Sequence, residues 1–262
     1  MRAVLAVAGL DSSGGAGLAA DVCAITTLGC HAKVAATAIT AQSLSGIDDC
    51  SLVEPSLVKR QIEAAFQDLA PSAVKVGMLG TDETAAAVAH ALHEAGASKI
   101  VVDPVLRSTS GTALFDGVRR GALPKGLAGL LHKAALATPN VPEAETLLGH
   151  EIGSAAAMEK SAAKLAALLG CPVLLKGGHL GTAHDYLAGA SCDGWFGVEA
   201  VAGPSPHGTG CTLSSAIAAF LAQGADLATA IQRAKEFLAA AISGSCTLPE
   251  GTYLSLSRTR AW

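Results

Sequence analysis

Aromatic residues and charged residues are both scarce in this chain. Aromatic side chains make up 3% of the 262 residues and charged ones 15%, while apolar residues reach 50%. A core must therefore be built from Ala, Val, Leu and Ile, and a chain disordered throughout is excluded. The formal net charge is −4. With an acidic balance and few rings to stack on bases, we expect no nucleic acid as a partner.

Long apolar runs and paired cysteines are absent too. The longest stretch without a formal charge, residues 200–225, contains two prolines, one histidine and several Gly and Ser residues. It therefore does not resemble the ~20 apolar residues that span a bilayer. Seven cysteines occur without a Cys-x-x-Cys pair, which favours reduced thiols over a disulfide framework or a zinc ribbon. The chain turns polar after Gly9, too early for a signal peptide. We expect a cytoplasmic protein with no membrane partner.

Short runs rich in β-branched residues alternate with longer helical patterns. The alternation predicts one α/β domain, residues 1–262, with a mostly parallel, doubly wound sheet. The predicted strands are Val4–Gly9, Lys33–Thr40, Ala73–Met78, Lys99–Val105, Ala134–Asn140, Pro172–Gly178, Asp185–Ala188 and Trp195–Ala200. The predicted helices are Leu18–Leu28, Ser56–Leu69, Glu83–Glu94, Leu114–Leu131, Glu143–Leu148, Ala155–Leu169, Thr212–Gln223 and Leu227–Ile242.

Polar or small residues follow the ends of most predicted strands. They include Gly9-Leu10-Asp11, Thr40-Ala41-Gln42, Gly77-Met78, Asp103-Pro104-Val105, Pro139-Asn140 and Lys176-Gly177-Gly178-His179. Ligands of open parallel sheets bind at the carboxyl ends of the strands. The pattern therefore predicts a site at that edge of the sheet.

A glycine-rich segment, Ser12–Gly17, joins the first predicted strand to the first helix. Its backbone N–H groups could surround a polar ligand, or the segment could be a simple turn. It also fits the loose dinucleotide pattern G-x-G-x-x-A, but the second strand ends in Gln42 where that pattern needs an acid. Asp21, one turn into the helix, could be an exposed acid favoured by the helix dipole, or it could hold a ligand.

A second segment, Gly208-Thr209-Gly210-Cys211, leads directly into a predicted helix. Two glycines at a helix start expose N–H groups at the positive end of the dipole, which predicts an anion hole. A thiolate is favoured at such a place, so we expect a lowered pKa for Cys211, suited to a base or a nucleophile. The alternative is an ordinary helix start with a small buried cysteine.

Three further strand ends could supply metal or phosphate ligands. Asn140 and Glu143 could orient Mg²⁺ through water, or they could be the first residues of a proline-started helix. Lys176 suits a phosphate, and Asp103 adds a carboxylate. A Walker phosphate loop, a G-x-S-x-G elbow and a His-Glu-x-x-His zinc motif are all absent from the sequence.

Taken in order, these motifs resemble those of the hydroxymethylpyrimidine/phosphomethylpyrimidine kinases, a family of the ribokinase-like superfamily. The resemblance extends from Ala8 to about Ile242, and the ordered set is far more specific than any one motif. The matching segments are Ala8-Gly9, Asp11-x-Ser13-Gly14-Gly15-Ala16-Gly17-x-x-Ala20-Asp21, Thr40-Ala41-Gln42, Lys75-Val76-Gly77-Met78-Leu79, Asp103-Pro104-Val105, Thr138-Pro139-Asn140-x-x-Glu143-Ala144, Lys176-Gly177-Gly178-His179 and His207-Gly208-Thr209-Gly210-Cys211-Thr212.

The resemblance implies a three-layer α/β/α ribokinase-like fold and a homodimer. It also implies ATP-dependent phosphorylation of 4-amino-5-hydroxymethyl-2-methylpyrimidine, and then of its monophosphate, with ATP and Mg²⁺ as cofactors. The residues implied to bind the pyrimidine are Gly9, Asp21, Gln42, Met78 and Val105. Those implied for ATP are Asn140, Lys176 and Thr209, and those for the metal are Asp103 and Glu143. Cys211 is implied as the catalytic base, with Gly208 and Gly210 in the anion hole.

Two positions depart from the family pattern, and three alternatives remain. The family often has Ser or Thr at Leu10 and often a lysine in the loop after Asp-Pro-Val, where Arg107 could replace that charge. A pyridoxal kinase of the same superfamily would use a similar flat alcohol. A cysteine hydrolase or transferase would pair Cys211 with His207, although no Asp or Asn is evidently placed in the sequence to orient that imidazole. A non-catalytic sensor would bind the pyrimidine without releasing ADP. Nothing is predicted for residues 243–262.

Overall fold

The computed structural model describes residues 1–107, 111–181, 183–199, 201 and 206–256. The strands of its main sheet are β1 (Ala3–Asp11), β2 (His31–Ser43), β3 (Gly46–Leu52), β4 (Ala73–Val76), β5 (Ile100–Val102), β6 (Leu136–Ala137), β7 (Val173–Lys176), β8 (His184–Ala188) and β9 (Gly194–Gly197). Within the described residues these nine strands lie in the order β3-β2-β1-β4-β5-β6-β7-β8-β9. The six from β2 to β7 in that order are parallel, and β3, β8 and β9 pair antiparallel. The predicted mostly parallel α/β sheet is confirmed.

Helices cover both faces of this sheet. They are α1 (Gly17–Thr27), α2 (Pro55–Ala65), α3 (Asp82–Glu94), α4 (Lys125–Leu131), α5 (Val141–Leu148), α6 (Ala155–Leu169), α7 (Thr209–Ala222) and α8 (Leu227–Ser243). One core lies beneath α2 to α6, and the other lies beneath α1, α7 and α8. Successive residues of a strand face opposite sides, so Leu5 and Val7 enter the first core and Val4 and Ala6 the second. No helix in the described ranges has both the length and the apolar content needed to cross a bilayer.

The predicted helix Leu114–Leu131 is wrong over most of its length, because only α4 at its end is helical. Gly117 and Gly121 have φ values of 75° and 78°, outside the right-handed helical region. Phe115 instead bridges to Gly80 and packs into the core. Residues 114–124 therefore form an irregular loop before α4.

Three strands have no counterpart in the sequence-based prediction. β3 pairs with β2 at the edge of the sheet, and its seven residues are exposed or half-buried, so it lacks an apolar pattern. A separate hairpin, β10 (Cys246–Leu248) and β11 (Gly251–Tyr253), lies in the region for which nothing is predicted. Predicted strand ends are also too long in places, since β6 covers two residues of Ala134–Asn140. The end of Trp195–Ala200 lies outside the described residues.

Candidate active site

The carboxyl edge of the parallel strands collects the residues expected to form the site. They are Asp11 in β1, Gln42 in β2, Met78 after β4, Asp103 after β5, Asn140 after β6 and Lys176 in β7. The start of α7 comes to the same edge, because a Cβ on Gly210 would lie 3.3 Å from Lys176 Nζ and 3.5 Å from an Asp103 carboxylate oxygen. A helix N-terminus and a lysine ammonium group therefore lie side by side.

Gly208 allows the start of α7 to lie close to the glycine-rich loop. It has a φ of +84°, and a Cβ there would lie 1.9 Å from the Gly15 carbonyl oxygen, so no other residue fits. Gly208 is the N-cap of α7 and provides no side-chain acceptor for the first-turn N–H groups. These groups and the helix dipole favour an anion at this point, as the sequence predicts.

Lys176 and Asp103 form an ion pair beside this helix start. Lys176 Nζ donates to Asp103 Oδ1 at 2.7 Å, and the Thr138 hydroxyl donates to the same oxygen at 3.1 Å. Burial opposes the charge on Lys176, but the carboxylates of Asp103 and Glu143 hold its pKa above its ordinary value. Lys176 therefore carries a full positive charge at the place where a phosphate is expected.

Asn140 and Glu143 form a reciprocal cap at the start of α5. The Glu143 N–H donates to the Asn140 side chain at 2.9 Å, and the Asn140 N–H donates to Glu143 Oε2 at 2.8 Å. The helix-start alternative considered for this pair is thus realised. Burial raises the pKa of Glu143 to about 8, while Lys176 opposes the rise and Asp103 adds to it.

Asp103 and Glu143 can also be tested as a site for the implied magnesium ion. Asp103 Oδ1 accepts from Lys176 Nζ at 2.7 Å, and the charges of both residues act on the pKa of Glu143, so the three groups lie near one another. No cluster of three or more His, Cys, Asp or Glu side chains suited to a metal occurs in the described ranges. Two carboxyl groups beside a phosphate site nevertheless fit Mg²⁺, because this ion keeps several waters and uses one or two carboxylates together with substrate phosphates. The charge of the ion would favour the ionised form of Glu143, which burial alone disfavours.

The amides of the glycine-rich loop are already used within the protein. The Asp11 carboxylate accepts from the Ser13 and Ala16 N–H groups at 2.8 and 2.9 Å, and from the Ser13 hydroxyl at 2.9 Å. The Gly15 N–H donates to Ser13 Oγ at 3.3 Å, and the Gly14 N–H donates to the Asp11 carbonyl at 3.1 Å. The idea that these N–H groups surround a polar ligand is therefore wrong for these four amides. The loop is shaped by Asp11.

Asp21 lies fully buried below the site. Both of its carboxylate oxygens accept from Lys75 Nζ at 2.8 Å, and Oδ1 also accepts from the Ser215 hydroxyl at 2.8 Å. The exposed first-turn acid considered for Asp21 is therefore wrong. Burial opposes the charge on Lys75, yet the neighbouring Asp21 carboxylate holds the pKa of Lys75 above its ordinary value.

The pKa of Cys211 differs from the lowered value that the sequence predicts. Burial raises its pKa to about 11, and the nearby carboxylates Asp21 and Asp103 add to the rise, while Lys75 and the Gly17 N–H oppose it. The predicted lowering by the helix dipole is wrong, because removal from water outweighs it. Cys211 is a neutral thiol at neutral pH.

Gly9 in β1, Met78 after β4 and Val105 after β5 lie at the same carboxyl edge of the sheet. A Cβ on Gly9 would lie 3.0 Å from the Met78 sulfur, so the glycine lets the methionine side chain approach the end of β1. The Met78 carbonyl accepts from the Thr37 hydroxyl at 2.6 Å, and the Val105 N–H donates to the Asp103 carbonyl at 2.8 Å. Met78 and Val105 are half-buried, as residues lining a small apolar slot would be.

Gln42 lies in a polar network that the sequence analysis did not foresee. His207 Nε2 is 3.0 Å from Asp11 Oδ2 and 3.2 Å from the Gln42 side-chain nitrogen. The expectation that no Asp is placed to orient His207 is therefore wrong, since Asp11 does so from a distant part of the chain. The sequence analysis also gives no role to Lys75 or Ser215. Among the described residues, Arg107 donates to the Gly111 carbonyl at 3.3 Å. Residues 108–110 of that loop lie outside the described part of the chain. Sequence spacing carries no signal for such long-range pairs.

Comparison with known proteins agrees with this arrangement. Residues 11–254 match the family model described as phosphomethylpyrimidine kinase. The chain is 43% identical to a thiamine biosynthesis bifunctional protein of Geobacter sulfurreducens, over 91% of this chain and 49% of that protein. It is 41% identical to the hydroxymethylpyrimidine/phosphomethylpyrimidine kinase of Rhizobium meliloti, over 94% of this chain and 92% of the relative.

Among solved structures, an ADP complex of Bacillus subtilis pyridoxal kinase superposes with a TM-score of 0.84 at 29% identity. The match covers 98% of each chain. The ribokinase-like fold implied by the motifs is confirmed, and the match to the family model extends from the glycine-rich loop to the C-terminal hairpin. The chain therefore belongs to the phosphomethylpyrimidine kinase family of the ribokinase-like superfamily.

Proposed function

We propose that this chain transfers the γ-phosphoryl group of ATP to the hydroxymethyl oxygen of 4-amino-5-hydroxymethyl-2-methylpyrimidine, and then phosphorylates the monophosphate to the diphosphate in thiamine diphosphate formation. The observation that carries the proposal is the position of Lys176 Nζ against Gly210, in the first turn of α7. An ammonium group and N–H groups at a helix start together neutralise the charge of a transferring phosphoryl group.

Residues on the ATP side have distinct roles. Lys176 and the first-turn N–H groups from Thr209 onward hold phosphate oxygens, and Asn140 supports the same edge through its cap with Glu143. Asp103 and Glu143 would hold Mg²⁺ through water, and the ion would neutralise phosphate charge when bound. The ADP bound to the Bacillus subtilis pyridoxal kinase supports a nucleotide in this fold.

Residues on the pyrimidine side provide a flat slot and directed hydrogen bonds. Gly9, Met78 and Val105 form apolar contacts, and the Gln42 amide offers a donor and an acceptor to an aminopyrimidine edge. Asp21 is fully buried and bound to Lys75, so it acts from beneath the slot by fixing that charge. In the reaction the alcohol oxygen attacks the γ-phosphorus, the bond to ADP breaks, and the alcohol proton leaves to solvent. Cys211 orients that hydroxyl.

A pyridoxal kinase is the second candidate, because the Bacillus subtilis pyridoxal kinase has the same fold over 98% of its length. The test is ADP release by the full chain with Mg-ATP and, separately, hydroxymethylpyrimidine, its monophosphate, pyridoxal and ribose. The proposal expects turnover of the first two, with kcat/KM for pyridoxal at least about tenfold lower, a difference of about 1.4 kcal/mol in transition-state binding. Preference for pyridoxal would overturn it. Pyrimidine binding without ADP release would make the chain a sensor.

A homodimer and a cytoplasmic location stay predictions. Large apolar side chains on the outer strands support a second copy, since Val34 and Ile39 of β2 and Leu52 of β3 are 46%, 56% and 44% exposed. Sedimentation equilibrium of the full chain would distinguish a dimer from a monomer.

A further inference from the structure

His207 occupies a position between three parts of the site. Its Nε2 atom lies 3.0 Å from Asp11 Oδ2, at the end of β1, and 3.2 Å from the Gln42 side-chain amide, at the end of β2. Its backbone precedes Gly208, the N-cap of α7. One imidazole nitrogen therefore meets both a carboxylate and the amide that is proposed to bind the pyrimidine.

The place of the hydrogen on the His207 imidazole follows from its partner Asp11. That carboxylate is buried and accepts hydrogen bonds from two backbone N–H groups and from the Ser13 hydroxyl. An ionised carboxylate can only accept, so His207 Nε2 must carry a hydrogen to make a favourable 3.0 Å contact. A protonated Nε2 cannot accept a hydrogen bond from the Gln42 NH₂ group.

The orientation of the Gln42 amide then follows from counting hydrogens. The Thr40 hydroxyl has one hydrogen and lies 3.0 Å from the Leu10 carbonyl oxygen and 3.2 Å from the other end of the Gln42 amide. If the NH₂ group faced His207, two donors would meet there, and Thr40 would need two hydrogens. If the carbonyl faces His207, it shares the single Nε2 hydrogen with Asp11, the NH₂ group donates to the Thr40 oxygen, and no two donors meet. The oxygen and nitrogen of an amide exchange by rotation alone, so the heavy atoms stay in place.

We propose that His207 is a positioning residue that holds the carbonyl oxygen of Gln42 toward α7 and its NH₂ group toward Thr40, and thereby selects an aminopyrimidine over other flat alcohols. The proposal rests on the proposed function for its ligand. In this orientation the free lone pair of the carbonyl accepts from an exocyclic amino group, and the second NH₂ hydrogen donates to the adjacent ring nitrogen. A pyridine alcohol without the amino group leaves the carbonyl unpaired.

The kinetic test compares two substitutions in the full chain. His207→Leu removes the hydrogen-bond donor shared by Asp11 and the Gln42 carbonyl. The Gln42 amide is then no longer held in one orientation, and we expect KM for hydroxymethylpyrimidine to rise about 10- to 100-fold. KM for ATP should stay within about twofold, and kcat/KM for pyridoxal within about threefold, because neither ligand depends on which end of the Gln42 amide faces His207. His207→Gln retains an N–H donor and should recover most of the pyrimidine KM. A Gln variant as poor as the Leu variant would overturn the proposal.

A double variant separates positioning from general structural damage. If His207 acts through Gln42, His207→Leu should have little further effect on the pyrimidine KM in a Gln42→Met background, whereas independent effects would multiply. His90→Leu is the matched control, because His90 lies on α3 and pairs with the exposed Glu94. Multiplying effects would overturn the proposal.

A substrate-free measurement tests the hydrogen assignment itself. Long-range ¹H–¹⁵N spectra of the full chain, with the His207 signal assigned by its loss in His207→Gln, should show a proton on Nε2. A neutral imidazole protonated only on Nδ1 would overturn the assignment. This result does not depend on activity, so it stands or fails apart from the proposed function. If the parent chain shows no pyrimidine turnover, the proposed function fails, but this measurement still decides which nitrogen of His207 carries the hydrogen.

Discussion

At the scale of single residues, Cys211 shows how burial can reverse an argument from local sequence. A helix N-terminus favours a thiolate, but Asp21 and Asp103 lie close enough to oppose it, and burial raises the pKa of Cys211 to about 11. A thiol in that state is a poor base at neutral pH. Phosphoryl transfer through a loose transition state makes little demand on a base, so orientation of the hydroxyl is a sufficient role.

The prediction at this scale concerns the reactivity of Cys211. Because only the thiolate is alkylated, its rate with iodoacetamide should rise about tenfold per pH unit from pH 7 to 10, without a plateau near pH 7. Mass spectrometry of the Cys211 peptide measures this, and the exposed Cys23 and Cys246 serve as references in the same sample. Cys211→Ser should retain kcat within about tenfold, below the usual ~10²–10⁴-fold contribution of a positioned base. A plateau near pH 7 together with a loss of ~10³-fold or more would restore the general base.

At the scale of elements, α5 combines two roles that the sequence analysis treats as alternatives. Glu143 caps the helix through its Oε2 atom, and its burial beside Asp103 places the same carboxyl group near the phosphate site. A reciprocal cap needs only an acceptor oxygen, whereas Mg²⁺ is held more strongly by an ionised carboxylate than by a neutral amide. The two roles can therefore be separated by chemistry at a single position.

Glu143→Gln and Glu143→Ala provide that separation. The amide of Gln keeps the acceptor for the Asn140 N–H, so stability should change little, while the Mg²⁺ concentration for half-maximal ADP release should rise several-fold. Ala removes both roles and should also cost about 0.5–2 kcal/mol of stability, the usual cost of losing a cap. Titration with Mg²⁺ at saturating pyrimidine and urea unfolding measure the two effects. Equal Mg²⁺ requirements for the parent chain and the Gln variant would leave Glu143 with the capping role alone.

The same scale shows which elements sequence patterns can predict. Buried parallel strands such as β1 and β7 have continuous apolar runs, and their ends place Asp11 and Lys176 at one edge of the sheet, as expected. β3 was missed because an exposed edge strand needs no apolar pattern. Residues 114–124 are not helical because Gly117 and Gly121 have positive φ values there. The partners of Asp21 and His207 depend on tertiary contacts between distant segments. Local sequence patterns therefore do not predict these partners.

At the scale of the whole molecule, one buried ion pair connects the core to the site. Lys75 of β4, Asp21 of α1 and Ser215 of α7 meet beneath the carboxyl edge, and neither charged side chain is exposed. Both cores contain mostly apolar side chains, so an uncompensated charge at this point would have no water to stabilise it. The pair therefore couples the stability of the fold to the electrostatics around Cys211 and Asp103.

Removing one member of this pair should destabilise the chain more than removing both. Lys75→Met leaves the Asp21 carboxylate buried without a countercharge, and we expect the free energy of unfolding to fall by about 3–5 kcal/mol. The double substitution Lys75→Met with Asp21→Asn should recover much of that loss, because no buried charge remains. Urea unfolding followed by circular dichroism measures each variant, and Lys59→Met is the control, since Lys59 pairs with Glu63 and Glu94 at the surface and should change stability far less. Equal losses for the single and double variants would mean that packing around Lys75, and not charge compensation, stabilises this part of the fold.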